Sequence, residues 1–392
     1  MKPPDMKLFL FLAAEILATA GRDSSGSSLS FLFVTDIHLD KKYRPGGAPS
    51  TFCREGVSGE KKAGFFGEPG CDIPPYTFEH AVEQMKGRVS SPDFVIIGGD
   101  TGAHDREQTL SSYFAAYLSS IRELKRSYPS VAVLPVLGNN DFPGMDFKDG
   151  PNGILDGYWE MWKDAIPGSQ ESAFKKCGVY SVEEKGVKML ILNTNYFSLS
   201  NAHDCRDESS ACCRQLSWLE GELGKHAARK ENVLVIGHHP PTAEYFHRAA
   251  LSRLLGILKK HKGSIHGVLA GHIHKDTFFL YNSDGVHPGG EGGVEAADGF
   301  VAAAPSIVKN SQVRFRKYKY RGKAGLVDYT QYIVFMERRK GREVVTSKKE
   351  YSFREEYGTD GVSTAAFVRL NNQILSGSSS KRRFTQHVQA EL

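Results

Sequence analysis

The chain has no Asn-x-Ser/Thr sequon and no Cys-x-x-C pair. The first absence leaves no asparagine for N-glycan attachment, and the second excludes the usual zinc-ribbon and dithiol-redox spacings. Past the first twenty residues no stretch offers the roughly 20 consecutive apolar residues a membrane helix needs. Charge of one sign is scarce too: 50 Lys+Arg against 45 Asp+Glu leave +5 over 392 residues. So thin a surplus argues for no general affinity for nucleic acid, and none is expected as a partner. No segment repeats, which excludes solenoids. With 24% charged and 40% apolar residues, wholesale disorder is excluded as well and a sizeable core is available.

The apolar run that does exist lies at the start. Lys2 and Lys7 flank Leu8-Phe9-Leu10-Phe11-Leu12-Ala13-Ala14, which continues through Ile16-Leu17 and closes on Ala18-Thr19-Ala20. A short apolar core behind lysines, ending small-x-small, is the pattern of a secretory signal peptide, expected over residues 1–20. Six cysteines (Cys53, Cys71, Cys177, Cys205, Cys212, Cys213) suit an oxidising lumen and allow up to three disulfides. Cys53 and Cys71 bracket a Gly/Lys-rich loop that a bridge would staple; pairing of the other four stays open. The expected location is the secretory pathway, either outside the cell or in a lysosome- or vacuole-like lumen, with no integral membrane span in the mature chain.

Glycine is plentiful at 40 residues, and its placement is informative. Apolar runs end in the same kind of chemistry five times. Leu29 to Val34 runs into Thr35-Asp36-Ile37-His38, and Phe94 to Ile97 into Gly98-Gly99-Asp100. Val131 to Leu137 runs into Gly138-Asn139-Asn140-Asp141, Val233 to Ile236 into Gly237-His238-His239-Pro240, and Val268 to Ala270 into Gly271-His272-Ile273-His274. Unalternated runs of this length suit strands buried on both faces. Between them lie helical periodicities: about Glu107 to Lys125, Leu216/Leu219/Leu223, and Leu251, Leu254 or Leu255, and Leu258. Strands alternating with helices predict a layered α/β protein. Tyr332 to Met336 and Val344 to Phe353 read as further strands, Gly285 to Gly299 as an aperiodic loop, and the Ser/Lys/Arg-rich tail from Gly377 as disordered.

In open α/β sheets the C-terminal strand ends form the ligand crevice. Three carboxylates, an amide and several imidazoles at these strand ends would therefore converge on one pocket. Oxygen and imidazole donors of this kind suit zinc, iron, manganese or cobalt better than a soft thiolate site. Glycine at the head of four of the five motifs lets the backbone approach closely.

The ordered set D-x-H, G-G-D, G-N-N-D, G-H-H-P and G-H-x-H resembles the calcineurin-like metallophosphoesterases, over about Phe31 to His274. The resemblance implies a four-layer α/β/β/α sandwich and two divalent metal ions, zinc being expected, with manganese, cobalt or iron as alternatives. It also implies that Asp36, His38 and His274 hold one ion, that Asn139, His238 and His272 hold the other, and that Asp100 bridges them. On this reading residues 29–355 form the catalytic domain, 356–376 a C-terminal helical segment and 377–392 a disordered tail.

A narrower branch is visible. Asp100-Thr101-Gly102-Ala103-His104-Asp105 and Cys53-Arg54 … Phe66-Gly67 … Cys71-Asp72-Ile73-Pro74 resemble segments of the acid sphingomyelinases. Gly138-Asn139-Asn140-Asp141 and the stretch Leu192 to Asn201 are instead similar to endopolyphosphatases. The resemblance makes His104 the candidate general acid. Asn140, which cannot donate a proton usefully, becomes a hydrogen-bond donor to a phosphoryl oxygen. The expected function is hydrolysis of phosphoanhydride or phosphodiester bonds, most like an endopolyphosphatase, on polyphosphate, a nucleotide or a phospholipid head group. The alternatives are a sphingomyelinase-like phosphodiesterase and, in another class, a silent binding protein that keeps the metal scaffold. Arg314 to Arg321 interleaves cations with aromatics; it reads as a surface strand with solvated Lys and Arg, the alternative being a polyanion-binding surface.

Overall fold

A computed structural model describes residues 28–104, 109–142, 153–201, 205–307 and 312–389; the expected signal peptide and Asp105 lie outside them. Thirteen strands form among the described residues. They are β1 (Leu29–Val34), β2 (Phe94–Ile97), β3 (Ala132–Pro135), β4 (Tyr180–Glu184), β5 (Val187–Ile191), β6 (Val233–Ile236) and β7 (Ile265–Ala270), then β8 (Thr277–Asn282), β9 (Gly285–Pro288), β10 (Gly299–Ala303), β11 (Gln312–Arg321), β12 (Gly325–Arg339) and β13 (Arg342–Ser352). One sheet runs β13-β12-β11-β1-β2-β3 and the other β4-β5-β6-β7-β10-β8-β9.

The site-bearing strands are the parallel ones. β1 to β3 run side by side in the first sheet, and β5, β6 and β7 in the second. Their apolar runs are buried toward the C-terminal ends that carry the site, as doubly covered strands require. The core they build is continuous from Phe31 and Phe94, stacked at 4.7 Å, across to Phe278 and Phe300, which both meet Phe367. Helices Pro75–Arg88 and Leu110–Ser127 accompany the first sheet, and Ala211–Ala228 and Arg248–Lys260 the second. Their buried faces carry Phe78, Tyr117, Leu216, Leu219, Leu223, Leu254 and Leu258. The fold is mixed α/β, two sheets flanked by helices. No helix among the described residues is long and apolar enough to cross a membrane.

The structure departs from the sequence expectations at several places. The Gly-rich stretch after Asn282 contains a short strand, β9, paired antiparallel with β8. The tail expected to be disordered forms the helix Ser379–Gln389, because Phe384 meets Phe278 at 5.5 Å and His387 lies 4.2 Å from Tyr351. Two anchors three residues apart on one helical face outweigh the polar composition.

The basic-aromatic segment is β11, between β1 and β12 rather than on the surface. Arg314 and Arg316 are buried: Arg314 bonds Glu350, and Arg316 bonds Asp276, Gln331 and the Ala303 carbonyl. Neither the solvated-face nor the polyanion reading holds for those two arginines.

Candidate active site

Each strand-end loop is tied to its neighbours by backbone hydrogen bonds. Asp36 N–H donates to the Gly99 carbonyl and His38 N–H to the Asp100 carbonyl, both at 3.0 Å, while Gly271 N–H donates to the His238 carbonyl at 2.8 Å. Glycine is required where the loops meet: a Cβ on Gly138 would overlap the Asp100 carboxylate, and one on Gly271 would overlap Thr35 and Asp36. The donor residues themselves adopt the left-handed backbone region, with φ of 55° at Asp36, 46° at His38, 53° at Asp100, 70° at His272 and 55° at His274. Asp and His tolerate that region better than most residues, yet it remains strained.

This backbone brings the side chains together. Three groups form, Asp36/His38/Asp100, Asp100/His238/His272 and His38/His104/His274, each with ligand-type atoms within 4.8 Å of one another. His38 Nε2 faces His274 Nε2 at 3.1 Å, and His274 Nε2 stands 3.2 Å from Asp36 Oδ1. His238 Nε2 stands 3.3 Å from Asp100 Oδ2. The far nitrogens are fixed by backbone carbonyls: His38 Nδ1 by Gly102 O at 3.0 Å and His238 Nδ1 by Gly98 O at 2.8 Å. Those bonds orient both rings with Nε2 inward, the arrangement that ligating imidazoles use, and at His38 leave an Nε2 lone pair there. Asn139 is buried at the head of the short 3-10 turn Asn139–Asp141, beside Asp100 through its neighbour Asn140.

Protonation reflects the crowding. Burial opposes ionisation of Asp36, but His274 and His238 outweigh it and hold the carboxyl at about 2. Burial likewise opposes charge on Asp100, and His238 holds it well below the usual carboxylate range. Burial, with the neighbouring imidazoles, lowers His38 to about 3 and His272 to about 4. His238 goes the other way, to about 10, because the Asp100 and Asp36 carboxylates overcome its burial. His38 and His272 are thus neutral donors beside carboxylates, which is what a divalent cation requires. His238 Nε2, fully buried with no well-aligned hydrogen-bond acceptor among the described residues, points to the same occupant. The donor set fits divalent metal ions.

His104 lies against this cluster, its ring stacked on His38 at 3.9 Å, with 45% of the side chain exposed. Asp72 grips it twice: one carboxylate oxygen accepts from His104 N–H and the other contacts Nδ1, both at 2.7 Å. Burial lowers the imidazole pKa, but Asp72 more than reverses this and raises it. Asn140 braces the central carboxylate: its backbone N–H and one Nδ2 proton donate to the two oxygens of Asp100, each at 2.8 Å.

Several residues at the site were not singled out by the sequence reading. Asp141 accepts from the backbone N–H groups of Gly138, Asp100 and Thr101 and from the Thr101 hydroxyl, tying two strand ends together. His239 and Tyr245 both pack against His272, with ring centroids at 4.1 and 4.6 Å. Asp72 is positioned by the Cys53–Cys71 disulfide beside it, which spans 6.0 Å between Cα atoms. A second bridge joins Cys205 to Cys212. Asp141 and Asp72 each close a motif already noted, which was the available signal; Tyr245 had none.

A family model, calcineurin-like phosphoesterase, matches residues 29–276. The chain belongs to that family. As such it is a phosphoric ester or anhydride hydrolase whose family implies divalent metal ions. Among curated relatives it is 26% identical to acid sphingomyelinase-like phosphodiesterase 3b of Homo sapiens, covering 90% of this chain and 81% of that protein. It is 25% identical to sphingomyelin phosphodiesterase A of Dictyostelium discoideum, over 91% of this chain and 61% of that one. It is also 28% identical to an endopolyphosphatase of Debaryomyces hansenii, over 71% of this chain but 42% of the other. The phosphoesterase thus has relatives in both branches read from its motifs.

Proposed function

We propose that this phosphoesterase is an exported two-metal hydrolase of phosphoanhydride or phosphodiester bonds, most like an endopolyphosphatase. The observation carrying the proposal is the convergence of the Asp36, Asp100, His38, His238, His272 and His274 donor atoms beside His104. In it Asp36, His38 and His274 would hold one ion, Asn139, His238 and His272 the other, and Asp100 both. Bound there, divalent ions supply an acidified water and neutralise charge on phosphoryl oxygens. Zinc suits the imidazole-rich set, with manganese, cobalt or iron as alternatives.

The chain's own residues do the rest. Asp141 and Asn140 lock the Asp100 carboxylate and its loop before substrate arrives. Asp72 fixes His104 by its Nδ1 and favours its charged form, so Nε2 is the atom that passes a proton to the leaving oxygen. With Asn140 engaged on Asp100, His104 is the one imidazole assigned to leaving-group protonation. A phosphoanhydride leaves as a stabilised phosphate and needs less such help than an alkoxide, which favours polyphosphate. The two disulfides and the apolar start of the chain support passage through an oxidising lumen.

A second reading, a sphingomyelinase-like phosphodiesterase acting on a phosphocholine lipid or nucleotide, draws on the similarity to acid sphingomyelinase-like phosphodiesterase 3b over 90% of the chain. The test is one panel: protein with zinc, manganese or cobalt, from acid to neutral pH, offered long-chain polyphosphate, bis-aryl phosphodiester, ATP and sphingomyelin. Polyphosphate shortening with internal cuts is the expected result. Sphingomyelin cleavage without polyphosphate cleavage selects the second reading, and no turnover of any substrate by metal-loaded protein refutes both.

A further inference from the structure

Two contiguous cavities open beside the His38 loop, of about 290 and 510 Å³, and both are lined by Lys41, Lys42 and Arg54. The larger adds Arg44 and the smaller adds Ser111 and Ser112. We infer that this cleft is a subsite for the extended chain of an inorganic polyanion, linear polyphosphate, beyond the phosphoryl group being cleaved. The inference rests on the phosphohydrolase reading above and deepens it by naming where the rest of the substrate lies.

Position comes first. Lys41 and Lys42 follow His38 by three and four residues, within about 14 Å of chain, on the loop leaving the C-terminal end of β1. Leu39, which lines the smaller cavity, donates its N–H to the Thr101 carbonyl at 2.9 Å, next to Asp100. Ser111 and Ser112 stand in the first turn of helix Leu110–Ser127, which follows β2. The cleft therefore belongs to the same sheet edge as the metal-ligand loops.

Charge is the second argument. Lys41, Lys42 and Arg44 are exposed. Of the two lining carboxylates, Asp40 is buried and already engaged by Arg54 Nε at 2.9 Å and the Lys42 N–H at 2.8 Å, which leaves Glu55. The 18-residue helix adds the positive end of its dipole. Ammonium and guanidinium groups spaced along a cleft match an anion that repeats along its length.

The lining also selects among polyanions. Its aromatic residue, Tyr43, is buried with its hydroxyl on the Gly64 carbonyl at 2.7 Å, so it gives bases nothing to stack on. Around the larger cavity every other lining residue is charged, which leaves no apolar floor for an acyl chain. On the basic strand β11, Arg314 and Arg316 point into the protein, where Glu350 and Asp276 engage them.

The experiment compares KM for long-chain polyphosphate and for tripolyphosphate in the metal-loaded enzyme and a Lys41→Ala/Lys42→Ala/Arg44→Ala variant. KM for the long chain is expected to rise about tenfold, with a shallower dependence on salt, and that for tripolyphosphate by less than about twofold. A Lys259→Ala/Lys260→Ala variant, on a different helix, controls for net charge and keeps the parent long-chain KM. Unchanged long-chain KM in the triple variant overturns the inference, as does an equal rise in both constants. If the parent cleaves only bis-aryl phosphodiester, the polyphosphate reading fails separately. The cleft is then judged by titrating long-chain polyphosphate onto parent and triple variant: binding lost in the variant upholds it, and no binding to the parent overturns it.

Discussion

Replacing Arg316 with methionine removes the buried cation beside Asp276, two residues after His274. Arg316 is 1% exposed on β11. Its guanidinium pairs with Asp276, donates to Gln331 Oε1 at 3.0 Å and to the Ala303 carbonyl at 2.9 Å, and lies 4.4 Å from the Tyr329 ring centroid. Methionine keeps the apolar stem but none of these contacts, and removing one partner of a buried ion pair costs about 3–5 kcal/mol. At roughly 1.2 °C per kcal/mol for a chain this long, Tm falls by roughly 4–6 °C. Asp276 lies two residues after His274, so metal retained after dialysis should fall as well. Scanning calorimetry and elemental analysis read the two effects. Because the charge is the cause, Arg316→Met/Asp276→Asn should recover a large part of the lost Tm, the amide still accepting from the Tyr351 hydroxyl. A single variant melting within about 1 °C of the parent refutes the reasoning, as does a double variant less stable than the single.

Three further outcomes are expected. Asp100→Asn should lose bound metal and lower kcat by about 10²–10³-fold or more, and a fully metallated, active variant would end its central role. His104→Ala should slow substrates with poor leaving groups by about 10²–10⁴-fold and activated aryl esters far less; equal slowing of both argues against proton donation. For Asp72→Asn the sign follows from the pair: Asp72 raises the His104 pKa, and an acid works only below its pKa. Removing the carboxylate therefore moves the alkaline limb of the kcat profile to lower pH, and an unmoved limb assigns that limb to another group.

The strand-end residues were legible because short loops leaving parallel strands are set by local sequence, and the sheet edge does the gathering. Asp36, Asp100 and His238 needed only their own runs and the rule for where such runs end. What was not legible depends on partners distant in sequence. The alternation in Arg314 to Arg321 is the same whether the cations face water or the interior; Asp276, 40 residues away from Arg316, decides it. The Asn140 contact with Asp100 was not legible because it exists only once β2 and β3 lie side by side. The Ser379–Gln389 helix escaped because its composition is polar and its anchors, Phe278 and Tyr351, belong to other elements.

The left-handed φ at Asp36, His38, Asp100, His272 and His274 has an evolutionary consequence. Each such position costs of order 1–3 kcal/mol, and glycine would relax it. Selection for heat tolerance alone, without a demand for turnover, should therefore drift toward glycine at these places and yield sturdier, inert descendants.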